Sequence, residues 1–227
     1  MLQNMKLAVL MCAQKMIADR LVTGTSGNVS CIDRDQGLLA ITPSGVDYDA
    51  MQVSDISVVD LKGVHHSGGI PSTETPLHLA IYRKRGDVAT IVHTHSMYAT
   101  SFAVLGKPIL AIHYMVAALG GNHIPVTPKY ALFGTDDLAQ QVIATLSTQY
   151  RGTLVRNHGV VTIGETVQET YKLAVIVEEM AELYFHASSL GTPHILSAGA
   201  MDKVRCSLKK YGQVSRTGGK TASSDIN

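Results

Sequence analysis

The chain has 227 residues, 45% of them hydrophobic and 16% charged, with a formal net charge of +1. That composition supports one globular domain with a sizeable core. The near-neutral charge, scattered Lys and Arg and few aromatic residues argue against a nucleic-acid or anionic-membrane partner.

Taken in chain order, Leu7, Leu10, Met11, Ile17, Ala18 and Leu21 recur at roughly helical spacing. KLAVLMCA therefore reads as part of an amphipathic first helix rather than a signal segment. VTGTSGNVSCIDRDQGLLAITPSG predicts two short strands, with GTSGN a tight loop before the first. Val58 to Leu61 reads as a third strand. HHSGGIPSTETP reads as a long loop, with Pro76 in the first turn of a helix through LHLAIYRK that Gly86 stops. ATIVHTH follows as a strand, and KPILAIHYMVAALGGNHIPV is an apolar segment broken by its Gly-Gly pair. Thr135-Asp136 open a helix to about Ser147, and TLVRNHGVVTIG is a strand interrupted at Asn157-His158-Gly159. VQETYKLAVIVEEMAELYFHASSLG is the longest helix, ended by Gly191, and a last short helix covers about Ala200 to Lys210. From Gln213 onward the chain is polar and Gly/Ser-rich, as a disordered tail would be. Strands and helices interleave without a repeat or linker, which gives an α/β class in one domain.

No apolar run approaches the ~18–20 residues that span a bilayer. Cys12, Cys31 and Cys206 stand far apart without a CxxC, so a disulfide framework or Cys-rich zinc site is not expected and a reducing cytoplasm suits the chain.

Ten histidines are the unusual feature. His93 and His95 stand two residues apart, so both project from one face of the ATIVHTH strand. Paired neutral imidazoles on a rigid strand suit a divalent metal, and catalytic zinc usually takes three protein ligands with one position open. His158, beside a glycine at a strand break, is the best third candidate. His65, His66, His78, His186 and His194 are expected at solvated or core-edge positions. Glu74 has two readings: a first-turn acid complementing the helix dipole, or a general base near a metal.

Three hydroxyl and glycine loops stand upstream of the HxH strand: GTSGN at 24–28, TPSG at 42–45 and PST at 71–73. Each offers backbone N–H groups and hydroxyls able to nest a phosphate. GTSGN lacks the GxGxxG spacing of a dinucleotide site, and GGKT at 218–221 lacks the earlier glycine of a P-loop.

GTSGNVS, ITPSG, PSTE, HTH and NHGVV, in this order and at these intervals, resemble the class II aldolase/adducin-type superfamily. AIHYMVAALGGNHIP, YALFGT and KKYG resemble its L-fuculose-1-phosphate aldolase branch, and the likeness covers roughly residues 5–213. The resemblance implies an α/β/α sandwich around a mostly antiparallel sheet over residues 1–212, with 213–227 as tail. It also implies a cytoplasmic homotetramer with sites between subunits, one Zn²⁺ per subunit and a phosphorylated sugar as substrate. Metal ligands fall on His93, His95 and His158, and the acid/base glutamate on Glu74. Phosphate-binding positions fall on Gly27, Asn28, Ser44, Gly45, Ser72 and Thr73, with Thr25 beside them. A tyrosine given by a neighbouring subunit falls on Tyr114, a second near the C-terminus on Tyr211, and an aldehyde-pocket aromatic on Phe133.

The chain departs from the branch at Ser72-Thr73-Glu74-Thr75: the branch typically has two serines before the glutamate and a tryptophan after it. The pentulose-phosphate 4-epimerase branch carries an acid in the segment matching 105–124, and this sequence has none there. Adducin-type binding modules lack the three histidines.

Overall fold

The computed structural model describes residues 2–208. Its strands are β1 (Asn28–Asp33), β2 (Leu38–Ile41), β3 (Ser57–Asp60), β4 (His65–Ser67), β5 (Thr90–Thr94), β6 (Ile109–Leu110), β7 (His123–Ile124), β8 (Gly152–Val155) and β9 (Gly159–Gly164). The helices are α1 (Leu2–Ala18), α2 (Thr75–Lys84), α3 (Met97–Leu105), a 3-10 helix (Tyr114–Leu119), α4 (Asp136–Leu146), α5 (Val167–Leu190) and α6 (Ala198–Leu208). Seven strands form one sheet in the order β4-β3-β2-β1-β5-β9-β8, every neighbouring pair antiparallel, while β6 and β7 pair separately.

Side-chain alternation along the strands divides the core in two. Ile32, Leu39, Ile41, Val59, Ile91 and Val161 turn to one face, where Leu77 and Ile81 of α2 and Leu138 and Val142 of α4 cover them. Val29, Cys31, Ala40 and Val92 turn to the other, against Val9, Ala13 and Met16 of α1 and Ala174 of α5. A third cluster joins α3, the 3-10 helix, α5 and α6 through Ala99, Ala103, Val116, Leu119, Val177 and Met201. This is the α/β/α sandwich around an antiparallel sheet that the family resemblance implies. Among the described residues no helix is long and apolar enough to cross a membrane.

Capping chemistry sets two helix starts. Thr135 accepts a hydrogen bond from the Leu138 amide to open α4, with Asp136 and Asp137 in the first turn, and Thr166 accepts from the Glu169 amide to open α5.

The structure differs from the sequence reading in three places. His65–Ser67 lies not in a loop but in an exposed edge strand paired with β3. Residues 97–105 form α3, closed by Gly106 in the left-handed conformation at φ 62°. The apolar 107–126 segment is divided into β6, the 3-10 helix and β7. Tyr211 and the 213–227 stretch lie outside the described residues, as does the end of the last predicted helix.

Candidate active site

The antiparallel registers bring the chemistry to one end of the sheet. Asn28, which opens β1, is the partner of His93 near the end of β5, and Thr94 is the partner of Val160 just after the β8–β9 turn that carries His158. Asn157 holds that turn with φ 55°, a left-handed conformation that asparagine tolerates. Gly159 has no room for a side chain, since a Cβ there would stand 2.3 Å from the Thr94 carbonyl and 2.9 Å from His95 Cδ2. Bulk at this position would push the His158 turn off the β5 end.

His93, His95 and His158 converge. Their ring centroids are 4.8–5.0 Å apart, with Nε2–Nε2 separations of 3.0 Å between His93 and His95 and 3.3 Å between His93 and His158. His93 is fully buried, and its Nδ1–H donates to the Val160 carbonyl at 2.7 Å, which directs Nε2 into the cluster. Glu74 closes the group: Oε2 lies 3.0 Å from His93 Nε2, and Oε1 lies 3.5 Å from His158 Nε2. Glu74 occupies the N-cap position of α2 but makes no side-chain cap hydrogen bond. Its carboxylate instead accepts from the Asn28 amide at 2.9 Å and lies buried beside the histidines.

The donor set fits a divalent cation. One ligand atom from each of the four residues lies within 4.8 Å of the others. A cation ~2.0–2.1 Å from tetrahedral ring nitrogens spaces them by ~3.3 Å, close to the separations here. Glu74 Oε1 is buried without a hydrogen-bond partner, an acceptor that a nearby positive charge would satisfy.

Electrostatics favour the neutral, metal-binding form of His95 and His158. Burial, then the neighbouring His93, holds His95 down at about 3 and His158 at about 4. Burial alone would raise Glu74, but the His93 and His158 imidazoles and the Asn28 amide hold it well below the usual carboxylate range. Burial alone would lower His93, but the Glu74 charge and the Val160 carbonyl raise it. His78, fully buried, is held down by burial to about 3.

A stability consequence follows. His78, His95 and His158 have folded pKa values below their unfolded 6.5, so the unfolded chain binds the extra protons as pH falls below that value. Their stabilisation is present above pH 6.5 and is lost toward pH 3–4, whereas His93, raised, opposes the trend alone. The chelator-treated protein is expected to show a lower urea midpoint at pH 5 than at pH 7. An equal or higher midpoint at pH 5 would contradict the neutral-histidine site.

The phosphate-type loops lie at this same end. Pro43 and Pro71 form a β-bridge, Ser44 N–H donates to the Ile70 carbonyl at 2.8 Å, and Ser72 N–H donates to the Thr42 carbonyl at 3.2 Å. The TPSG and PST segments are thereby held together. Gly27, at φ 71°, lies so close to the His93 carbonyl that a Cβ would approach it to 2.6 Å. Thr25, Ser44, Gly45 and Thr73 are exposed, and Ser72 is half-buried. Phe133 is exposed beside Gly134, which abuts the Thr73 carbonyl.

Tyr114 is 49% exposed on the 3-10 helix with its ring against His113, and no hydrogen bond within the described residues joins it to the histidine cluster. Sequence reasoning missed one member of the site. His78, expected at a solvated or core-edge position, is fully buried and bonded to Asn28. Its signal was the spacing Glu74, His78, Tyr82, which places three polar groups on one helix face at i, i+4 and i+8.

Residues 8–185 match the family model of the Class II Aldolase and Adducin N-terminal domain. The chain is 35% identical over 214 residues, 94% of its length and 99% of the relative's, to a 5-deoxy-D-ribulose 1-phosphate aldolase of Bacillus thuringiensis serovar kurstaki. It is 38% identical over 190 residues to the L-fuculose phosphate aldolase of Escherichia coli K12, covering 83% of this chain and 86% of that one. A solved L-fuculose 1-phosphate aldolase superposes with a TM-score of 0.87 at 34% identity, covering 91% of this chain and 96% of the other. With the histidine–glutamate cluster in place at the end of its sheet, the chain belongs to the class II aldolase and adducin N-terminal domain family as one of its metal-dependent aldolases.

Proposed function

We propose that the protein reversibly cleaves a ketose 1-phosphate to dihydroxyacetone phosphate and an unphosphorylated aldehyde. L-Fuculose 1-phosphate, giving L-lactaldehyde, is one candidate substrate. A 5-deoxypentulose 1-phosphate, giving acetaldehyde, has equal support, because relatives named for each reaction match at similar identity. The observation that carries the reading is the convergence of three imidazole Nε2 atoms beside a buried carboxylate with one unpartnered oxygen.

His93, His95 and His158 would hold one Zn²⁺, which when bound supplies Lewis acidity for the electron pair released as C3–C4 breaks. No lysine Schiff base is required. The hydroxyls and backbone of Thr25, Gly27, Ser44, Gly45, Ser72 and Thr73 would anchor the phosphate and so place the reacting carbons. The Asn28 side chain is committed to Glu74 and His78, so its contribution there would come from its backbone. Glu74 would take and return the proton on C3, the carbon that becomes the hydroxymethyl group of dihydroxyacetone phosphate. Tyr114, its hydroxyl unbonded within the described chain, would serve the aldehyde oxygen in a neighbouring copy of a cytoplasmic homotetramer, with Tyr211 closing the site and Phe133 shaping the aldehyde pocket.

Purified protein supplied separately with L-fuculose, ribulose and 5-deoxyribulose 1-phosphates is expected to release aldehyde from at least one, with about one zinc per chain. Release from none, at full metal content, would defeat the reading.

A further inference from the structure

We infer that His78 is a positioning residue that fixes which oxygen of Glu74 exchanges the substrate proton. The inference rests on the aldolase reading and adds a residue that touches neither metal nor substrate.

Five side chains form a continuous polar line through the layer between β1 and α2: Tyr82, Ser30, His78, Asn28 and Glu74. Each is at most 5% exposed. Hydrogen-bond direction along the line follows from its end. Glu74 Oε2 accepts at 2.9 Å, so Asn28 presents its NH₂ to it and its Oδ1 to His78. His78 Nε2 stands 2.6 Å from that Oδ1, so Nε2 carries the hydrogen and Nδ1 the lone pair. Ser30 Oγ, 2.6 Å from Nδ1, then donates to it, and Tyr82 donates in turn to Ser30. Every donor points toward Glu74.

Such a line is costly to bury unless its members are satisfied, and among their side-chain polar atoms Glu74 Oε1 alone lacks a partner. Its effect falls on one atom. Oε2 is occupied by Asn28 and faces His93, whereas Oε1 has no hydrogen-bond partner and faces His158. A carboxylate pinned through Oε2 keeps Oε1 available, in a fixed direction, as the basic atom. Without the His78 Nε2–H, the Asn28 amide could rotate and present Oδ1 to the carboxylate, which would repel it. The helical spacing of Glu74, His78 and Tyr82 serves this line: three successive turns of α2 each supply one polar group to the same strand.

The test has two arms. In the wild-type protein labelled with ¹⁵N-histidine, His78 is expected as the neutral Nε2–H tautomer. A neutral Nδ1–H tautomer would overturn the assignment, because it reverses the Asn28 amide. In the second arm, deuterium uptake into dihydroxyacetone phosphate is followed in His78→Leu and His78→Gln, alongside metal content and KM. His78→Leu is expected to slow exchange by about 10- to 100-fold with metal retained and KM within about 3-fold. His78→Gln, whose amide N–H can replace Nε2–H, is expected to recover most of the rate. Equal loss in both variants, or no loss in His78→Leu, would reject the positioning role. Absence of exchange in the wild-type protein would instead reject the aldolase reading, which separates the two failures.

Discussion

Replacing His95 by alanine is expected to lower aldol cleavage at least ~10³-fold while leaving the protein folded. The size follows from what the ligand set does. Lewis-acid stabilisation of the charge released on C–C cleavage is worth several kcal/mol, and two imidazoles with a carboxylate would hold the ion weakly and in altered geometry. The tolerance of the fold follows from where the ring sits. His95 lies one residue beyond β5, is only partly buried and belongs to none of the three apolar clusters. Its imidazole lies against Gly159 and His93 rather than in the core. A loss of about 1 kcal/mol would move the melting temperature by only ~2–4 °C in a chain of this size. Metal analysis after dialysis, thermal melting and aldehyde release measured together decide the matter. Cleavage persisting in the alanine variant with chelator present would remove the metal from the reaction.

The fold was readable in the sequence wherever periodicity was unambiguous. The HxH pair could be placed on one face because strand alternation is rigid, and β5 with its continuation to His95 keeps that relation. His158 could be nominated because a glycine beside a histidine at a strand break marks close backbone approach, and Gly159 does abut the Thr94 carbonyl. The start of α4 was marked by Thr135, which does cap. Less was readable where tertiary contacts override local pattern. Helix α3 is apolar enough, with Ala99 and Ala103 buried between neighbours, that no polar stripe reveals its period. The HHS strand has no buried face, so alternation left no trace. Glu74 illustrates the limit best. A glutamate ahead of a proline at a helix start has a sufficient local explanation, and only the β1 and β5 registers, set by residues 46 and 19 positions away, bring Asn28 and His93 to its carboxylate.

Glu74→Gln separates the two kinds of chemistry in the site and carries the second large expected effect. Glutamine keeps the volume and an oxygen that can accept from Asn28, so the polar line from Tyr82 remains intact at its end. The three histidines are untouched, and metal content is expected to stay near one per chain. What disappears is the basic atom: the position of Oε1, unpartnered and facing His158, becomes an amide NH₂ that cannot take a proton. General acid–base catalysis by a placed side chain is typically worth 10²–10⁴-fold. Deuterium exchange into dihydroxyacetone phosphate is therefore expected to fall by about that factor. The same carboxylate is held far below its ordinary pKa in the wild-type protein, because His93 and His158 overcome its burial, so it stays ionised throughout the neutral range. The loss in the variant should accordingly be nearly constant between pH 6 and 8, whereas a base titrating in that window would give a loss that grows with pH. Exchange at the wild-type rate in a metal-replete variant would show that another group handles the carbon proton, and the role of Glu74 would then reduce to shaping the pocket around the three imidazoles.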